Sequence, residues 1–221
     1  MTRKKPIIFC DFDGTITNSD NIIAIMKEFA PVEWDSIKNQ VLSQEISIKD
    51  GVGRMFDLLP SHKKEEITDY IVEHAEIRDG FKEFVTFTKE EEIPLYIVSG
   101  GIDFFVEPLL QGLVSKEKIY CNGSDFSGER IAIQWPHPCD GECVNDCGCC
   151  KPSIIRKIAE ADTYKIVIGD SITDLEAAKM ADQVIARDFL VEKCNEHSIP
   201  FSTFDTFFDV INIIKKGKVS V

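Results

Sequence analysis

The chain has 221 residues, 43% hydrophobic and 29% charged, with 13 glycines and 9 prolines. That is an ordinary globular mixture, which excludes collagen, coiled-coil and disordered classes. Lys and Arg number 25 and Asp and Glu 38, a formal charge of −13; such a surface repels nucleic acid and anionic lipid, so an anionic ligand needs a local site that works against the global field.

At roughly 100–200 residues per domain, the length fits one sizeable domain with a smaller companion. The opening segment, Met1 to Cys10, imitates a secretory signal, but its apolar stretch is only Pro6 to Cys10 and Asp11 ends it. A signal peptide takes roughly 7–15 apolar residues and a membrane span about 20. The expectation is a cytoplasmic protein with no membrane or nucleic-acid partner, whose eight cysteines are reduced.

Ile7 to Cys10 reads as a short strand buried on both faces. Directly after it, Asp11-Phe12-Asp13-Gly14-Thr15 sets two carboxylates at i and i+2 about a sharp turn that Gly14 permits. From Thr17 to Arg78 the pattern is helical: Ile22, Ile23, Met26 and Phe29, then Trp34, Ile37 and Val41, then Val52, Met55, Phe56 and Leu59, with Pro31 and Pro60 between the pieces. About 60 residues are too many for a loop in a compact domain, so a separate small bundle is expected. Within it, Ile22, Met26, Met55, Phe56 and Leu59 have two readings, bundle core and the lining of an apolar pocket.

Gly80 to Glu92 places Phe81, Phe84, Val85 and Phe87 at helical spacing. Leu95 to Val98, after the breaker Pro94, is a second buried strand, and Ser99-Gly100-Gly101 leads from it into a helix. Glycines there let backbone N–H groups approach an anion, and Ser99 adds a hydroxyl. Further on lie Cys139, Cys143, Cys147, Cys149 and Cys150, with His137 just upstream. Four soft ligands suffice for a tetrahedral structural Zn²⁺ site; disulfides and plain buried thiols are the other readings.

Lys151 follows at once, then a helix from Ser153 to Ala161 and a third strand at Ile166–Ile168. The strand runs into Gly169-Asp170-Ser171-Ile172-Thr173-Asp174 and a helix from Thr173 to Ala181. Val184–Ala186 is a weaker strand, Phe201 lies on a fifth, and Asp205 to Lys216 is a helix with Phe207, Phe208, Ile211 and Ile214 on one stripe. Apolar runs separated by helix-length segments make βαβ units, hence an α/β fold with a doubly wound parallel sheet. Ligands in such sheets bind beyond the carboxyl ends of the strands, where these motifs fall. Taken singly, Asp-x-Asp is a turn, Ser-Gly-Gly a loop and Asp174 a helix cap; the specific signal is their order.

That order resembles the haloacid dehalogenase superfamily of phosphohydrolases. Asp11-Phe12-Asp13-Gly14-Thr15 matches its first motif, Ser99 the second, Lys151 the third, and Gly169-Asp170 with Asp174 the fourth. The likeness spans roughly Ile7 to Asp188, and the insert looks like the small cap of the phosphoserine-phosphatase-like branch. It implies a Rossmann-like core of residues 1–16 and 79–221 and a helical cap of residues 17–78. It also implies Mg²⁺ held by the Asp11 carboxylate, the Asp13 carbonyl and Asp170. Asp11 is then the nucleophile and Asp13 the acid and base. Ser99, Gly100 and Lys151 bind phosphate, and Asp174 orients Lys151 or the waters of the metal.

Aspartate at position 13 argues for phosphate-ester chemistry, because the ion-pumping ATPase branch carries Thr there. The stretch from Ser99 to Val106 and the Cys-rich segment ending at Lys151 resemble one subgroup whose ester carries an uncharged thioether tail. The partner expected is therefore a small-molecule phosphate ester, with phosphoserine or another small ester as alternatives; a homodimer is compatible with the sequence. A reading of another class, a metal-binding or redox-sensing protein on a dead phosphatase scaffold, is opposed by a complete catalytic set.

Overall fold

The computed structural model describes residues 4–219; residues 1–3 of the signal-like opening and residues 220–221 lie outside the described residues. Seven strands form one sheet: β1 Lys5–Cys10, β2 Leu95–Ile102, β3 Ile119–Asp125, β4 Ala132–Gln134, β5 Thr163–Gly169, β6 Gln183–Ala186 and β7 Phe201–Thr203. Their order is β4-β3-β2-β1-β5-β6-β7, parallel throughout except for the antiparallel β3–β4 pair. From β1 the chain winds first toward β2 and β3, then returns to β5, β6 and β7. The carboxyl end of β1 is therefore the switch point of the sheet, the place where such folds bind ligands.

The continuous apolar runs follow from burial on both faces. Ile8, Cys10, Ile97, Ile166 and Ile168 face one apolar cluster, while the alternating Ile7, Phe9, Val98 and Val167 face another. Helices α1 Asn21–Phe29, α2 Trp34–Leu42, α3 Ile48–Asp57 and α4 Lys64–His74 make up the insert; α5 Phe81–Glu90, α6 Asp103–Leu110, α7 Lys151–Ile158, α8 Leu175–Ala178, α9 Asp188–Glu196 and α10 Phe207–Val219 follow. Among the described residues no helix is long and apolar enough to cross a membrane.

The insert's helices pack on one another, α2 on α3 and α1 on α4, and the insert is also joined to the core. Its Ile25, Met26, Met55, Phe56, Leu59 and Ile67 share one continuous cluster with Phe104, Phe105 and Phe81. Met26, Phe56 and Leu59 are fully buried, so they are packing residues and not pocket lining. Backbone bonds tie it down at two places. At the neck, Arg78 N–H donates to Ile16 O at 2.8 Å and Asn18 N–H to Glu76 O at 2.9 Å. Across the β3–β4 hairpin, Ser61 N–H donates to Glu129 O at 2.9 Å and Ile131 N–H to Leu59 O at 3.0 Å.

Three local expectations change. β2 continues through Ser99-Gly100-Gly101 to Ile102, with a register shift against β3 between Val98 and Ile102, so the Gly pair is an irregular strand end and not a loop. The helix expected from Thr173 begins as a 3₁₀ turn at Ile172–Asp174. Third, Phe208 leaves the stripe: Phe207, Val210 and Ile214 are buried, whereas Phe208 is 47% exposed and lies over Gly80. Helix α9, unmarked by periodicity, buries only Leu190 and Cys194.

Phe207 closes the core between α5 and α10, its ring 5.0 Å from those of Phe81 and Phe84 and 5.9 Å from that of Phe204. Phe207→Ala is expected to lower unfolding free energy by about 3–5 kcal/mol through the cavity it leaves. The urea midpoint, at unchanged slope, measures it.

Candidate active site

The site begins where β1 ends. Asp11 N–H donates to Ile168 O at 2.9 Å, which holds the Asp11 backbone against β5. The chain then folds over one carbonyl: Phe12 O accepts from the N–H groups of Thr15, Ile16 and Thr17 at 3.3, 2.8 and 3.0 Å. Gly14 sits at φ +77°, and a Cβ there would lie 2.3 Å from Asp170 Oδ2, so both conformation and space require glycine. Buried Arg78 fixes this turn from the end of the insert. Its guanidinium donates to the carbonyls of Thr15 at 2.7 Å, Gly14 at 2.8 Å and Thr17 at 3.2 Å.

Lys151, the first residue of α7, lies at the centre of the carboxylates. Its Nζ is 2.7 Å from Asp11 Oδ1 and 2.5 Å from Asp174 Oδ1, with all three side chains buried. Asp174 Oδ2 accepts the N–H groups of Asp170 and Ser171, each at 3.1 Å. Asp170 Oδ1 accepts from Thr15 Oγ1 at 2.9 Å. Asp13 turns the other way: Oδ1 accepts Asn21 Nδ2 at 2.7 Å and Asn21 N–H at 3.0 Å, and Oδ2 stands 3.5 Å from Ser99 Oγ. Ser99 Oγ itself accepts Gly101 N–H at 2.8 Å, and Gly100 O accepts Asn122 Nδ2 at 2.8 Å.

Charge in this space is unbalanced. Burial and the neighbouring Asp174 push the Asp11 carboxyl well above its ordinary range, with Lys151 opposing. Burial, then Asp174, lifts Asp170 to about 7; burial, then the charges of Asp20 and Asp11, lifts Asp13 to about 8. Burial disfavours the Lys151 ammonium, but Asp11 and Asp174 together outweigh it and hold it charged. Carboxylate oxygens of Asp11, Asp170 and Asp174 lie within 4.8 Å of one another. Both Asp174 oxygens are already engaged, which leaves Asp11 and Asp170 as hard oxygen donors suited to a divalent cation. Such an ion would draw both back into the carboxylate range.

The structure thus brings Asp11, Asp13, Ser99, Lys151, Asp170 and Asp174 to one place. Of the five candidate thiols, Cys139, Cys143, Cys147 and Cys150 converge. Cys149 is a correction: it is buried against the sheet, its Sγ 3.7 Å from Tyr120 O, after the chain turns at Gly148, φ +80°. Sequence reasoning missed three supporting residues, Thr15, Asn21 and Arg78. Thr15 stood inside the first motif, whereas Asn21 and Arg78 carry no local signal and matter only through the return of the insert.

A buried carboxylate at the switch point of a parallel sheet, paired with one lysine and backed by a second acid, is an arrangement suited to group transfer. The profile of haloacid dehalogenase-like hydrolases matches residues 8–179. A protein of Geobacillus kaustophilus named 2-hydroxy-3-keto-5-methylthiopentenyl-1-phosphate phosphatase is 62% identical over 218 residues, 99% of each chain. A namesake from Geobacillus thermodenitrificans is 60% identical over 217 residues, 98% of this chain and 99% of its own. Among solved structures, one titled as the phospho-aspartyl intermediate analogue of phosphoserine phosphatase superposes with a TM-score of 0.72 at 22% identity, covering 96% of this chain and 99% of its own. The chain belongs to the haloacid dehalogenase-like hydrolase family.

Asn21→Ala removes the side chain that orients Asp13 while leaving the fold of α1 intact. Turnover is expected to fall about 10–100-fold with KM nearly unchanged, as for a misplaced reacting group; steady-state kinetics on the best substrate measures it.

Proposed function

We propose that the chain hydrolyses a phosphate monoester through an aspartyl-phosphate, and that the ester is 2-hydroxy-3-keto-5-methylthiopentenyl-1-phosphate, the compound in the names of the Geobacillus relatives. The observation that carries the mechanism is the Lys151–Asp11 pair at the end of the central strand. The methionine salvage assignment of the subgroup that Ser99–Val106 and Cys139–Lys151 resemble agrees with it, and the setting proposed is cytoplasmic.

In this reading Asp11 attacks phosphorus in line. The P–O bond to the alcohol breaks, and the leaving oxygen takes its proton from Asp13. Asn21 holds Asp13 Oδ1, so Oδ2 is the oxygen that carries the proton. With its carboxyl raised to about 8, Asp13 is protonated at neutral pH, the state a general acid needs. Afterwards the Asp13 carboxylate takes a proton from water, whose oxygen attacks the phosphoaspartate and releases phosphate with Asp11 restored. Lys151 and Ser99 hold phosphoryl oxygens, and Asp174 keeps the lysine in place. The Asp11 and Asp170 carboxylates and the Asp13 carbonyl would hold Mg²⁺, which when bound neutralises phosphoryl charge. Residues 17–78 serve as the cap.

Substrate choice is supported by how Arg54 is used. Phosphoserine carries an ammonium and a carboxylate that need opposite charges, since burying them unpaired is costly. Arg54, one cation of the insert along with Lys27, Lys38, Lys49, Lys63, Lys64 and Arg78, is already bonded to Gln40 at 3.2 Å and Asp50 at 3.5 Å on the exposed side of α3.

Two outcomes are expected. Asp11→Asn lowers kcat by about 10⁴-fold or more with the fold kept, as for loss of a nucleophile, and EDTA abolishes wild-type turnover until Mg²⁺ is restored. In a panel of phosphate esters, kcat/KM on the thioether ester exceeds that on phosphoserine by at least about 100-fold. A reversed order would transfer the assignment to phosphoserine.

A further inference from the structure

Between β4 and α7 the chain runs from Trp135 to Cys150 without helix or strand. Val144 on it is 93% exposed, and the outer part of the loop contributes no core. A segment of this length needs some other staple to hold one conformation. What converges inside it is sulfur. The Sγ atoms of Cys139, Cys143, Cys147 and Cys150 all lie within 4.8 Å of one another, and those of Cys143 and Cys147 are 3.8 Å apart. Four sulfurs at about 2.3 Å from one tetrahedral ion stand about 3.8 Å from each other. A disulfide needs about 2.05 Å, and all eight cysteines are free.

Hydrogen bonds reach two of the sulfurs, while burial pushes the Cys147 and Cys150 thiols up, so thiolates there need a cation among them. Cys147 N–H donates to Cys139 Sγ at 3.4 Å, and Ser153 Oγ lies 2.9 Å from Cys150 Sγ. Ser153 Oγ also accepts Asp140 N–H at 3.0 Å, and Asp140 is gripped by Arg156 through bonds of 2.6 and 2.8 Å. An arginine beside Cys150 offsets part of the negative charge that four thiolates leave around a divalent ion. The backbone bends to allow the convergence: Asp146 and Gly148 are at φ +48° and +80°. A Cβ on Gly148 would lie 2.7 Å from the Trp135 ring.

We propose that Cys139, Cys143, Cys147 and Cys150 bind one Zn²⁺ as a structural tetrathiolate, and that the ion pins the start of α7, where Lys151 stands. Cys150 is the N-cap of that helix; its N–H donates to His137 O at 2.9 Å and its carbonyl accepts Ile154 N–H at 3.1 Å. Cys149 is excluded by its direction, although its residue type is the same. The tetrathiolate does not depend on the hydrolytic reading, so either can fail without the other.

The test uses the full chain purified under reducing conditions. Metal analysis is expected to find about one zinc per chain retained through gel filtration. Cobalt exchanged into the protein should give the visible bands and sulfur-to-metal charge transfer of a tetrahedral tetrathiolate. Cys149→Ser keeps that spectrum; Cys143→Ser changes it to three-sulfur character. Stripping zinc from the wild type should speed amide exchange at Cys150 and Ile154 by about tenfold or more while β5 stays protected. Folded, reduced wild-type protein that holds no zinc and gives no thiolate spectrum with cobalt would overturn the site. An unchanged cobalt spectrum in Cys143→Ser would do the same. Zinc binding with no change in exchange at those amides would overturn the pinning.

Discussion

The structure depends on one buried ammonium. Lys151 lies between Asp11 and Asp174, with all three groups withdrawn from water, and the desolvation of each is offset only because the others are present. Removing the lysine would leave two uncompensated carboxylates; removing Asp174 would free the lysine to swing from Asp11. Much of the local sequence follows from this demand. Asp174 is itself held by two backbone N–H groups at the turn after β5. Gly169 is bare because a Cβ there would come within 2.4 Å of the Asp174 carboxyl carbon. The lysine is the first residue of a helix, so its backbone is rigid where its charge is needed.

Those features explain why the sheet and most of the site were legible in the sequence. Strands buried on both faces cannot hide: Ile7–Cys10, Leu95–Val98 and Ile166–Ile168 are apolar without alternation, and each ends in a polar motif. Asp11, Asp13, Asp170 and Asp174 follow β1 and β5, so strand order brings them together, while Lys151 joins them from the start of α7. What the sequence did not reveal depends on contacts remote along the chain. Arg78 reaches the turn at Gly14 and Thr15 from more than 60 residues away, and its neighbours in sequence give no hint of it. Asn21 orients Asp13 because α1 starts beside it. Helix α9 was missed since it buries only two side chains, too few to make a period.

The attachment of the insert to the core was not legible for a related reason. Helical spacing reports that a face is buried, but not against what. An amphipathic helix that packs on its neighbours and one that packs on α6 leave the same pattern. Here α4 packs on α6 and α3 on β4, and Phe56 and Phe104 meet edge to face at 6.1 Å. A segment joined to the sheet by a common apolar cluster cannot move without uncovering that cluster. Whatever motion admits a substrate is therefore confined to parts of the insert outside these contacts, or carries the β3–β4 hairpin with it.

Electrostatics sets the last constraint. A chain of net charge −13 that handles a phosphate dianion would be expected to build a basic pocket, yet Asp11, Asp13, Asp170 and Asp174 gather at one site, and its Lys151 is already paired with Asp11 and Asp174. The chain does not supply enough positive charge for the anion by itself. In the proposed reading two devices neutralise it instead: a proton on Asp13, whose carboxyl is lifted to about 8 by burial and the charges of Asp20 and Asp11, and a pair of hard oxygen donors at Asp11 and Asp170 suited to a divalent cation. In that reading dependence on a cation is a consequence of the carboxylate excess, and the same excess repels an anion that arrives without a metal partner.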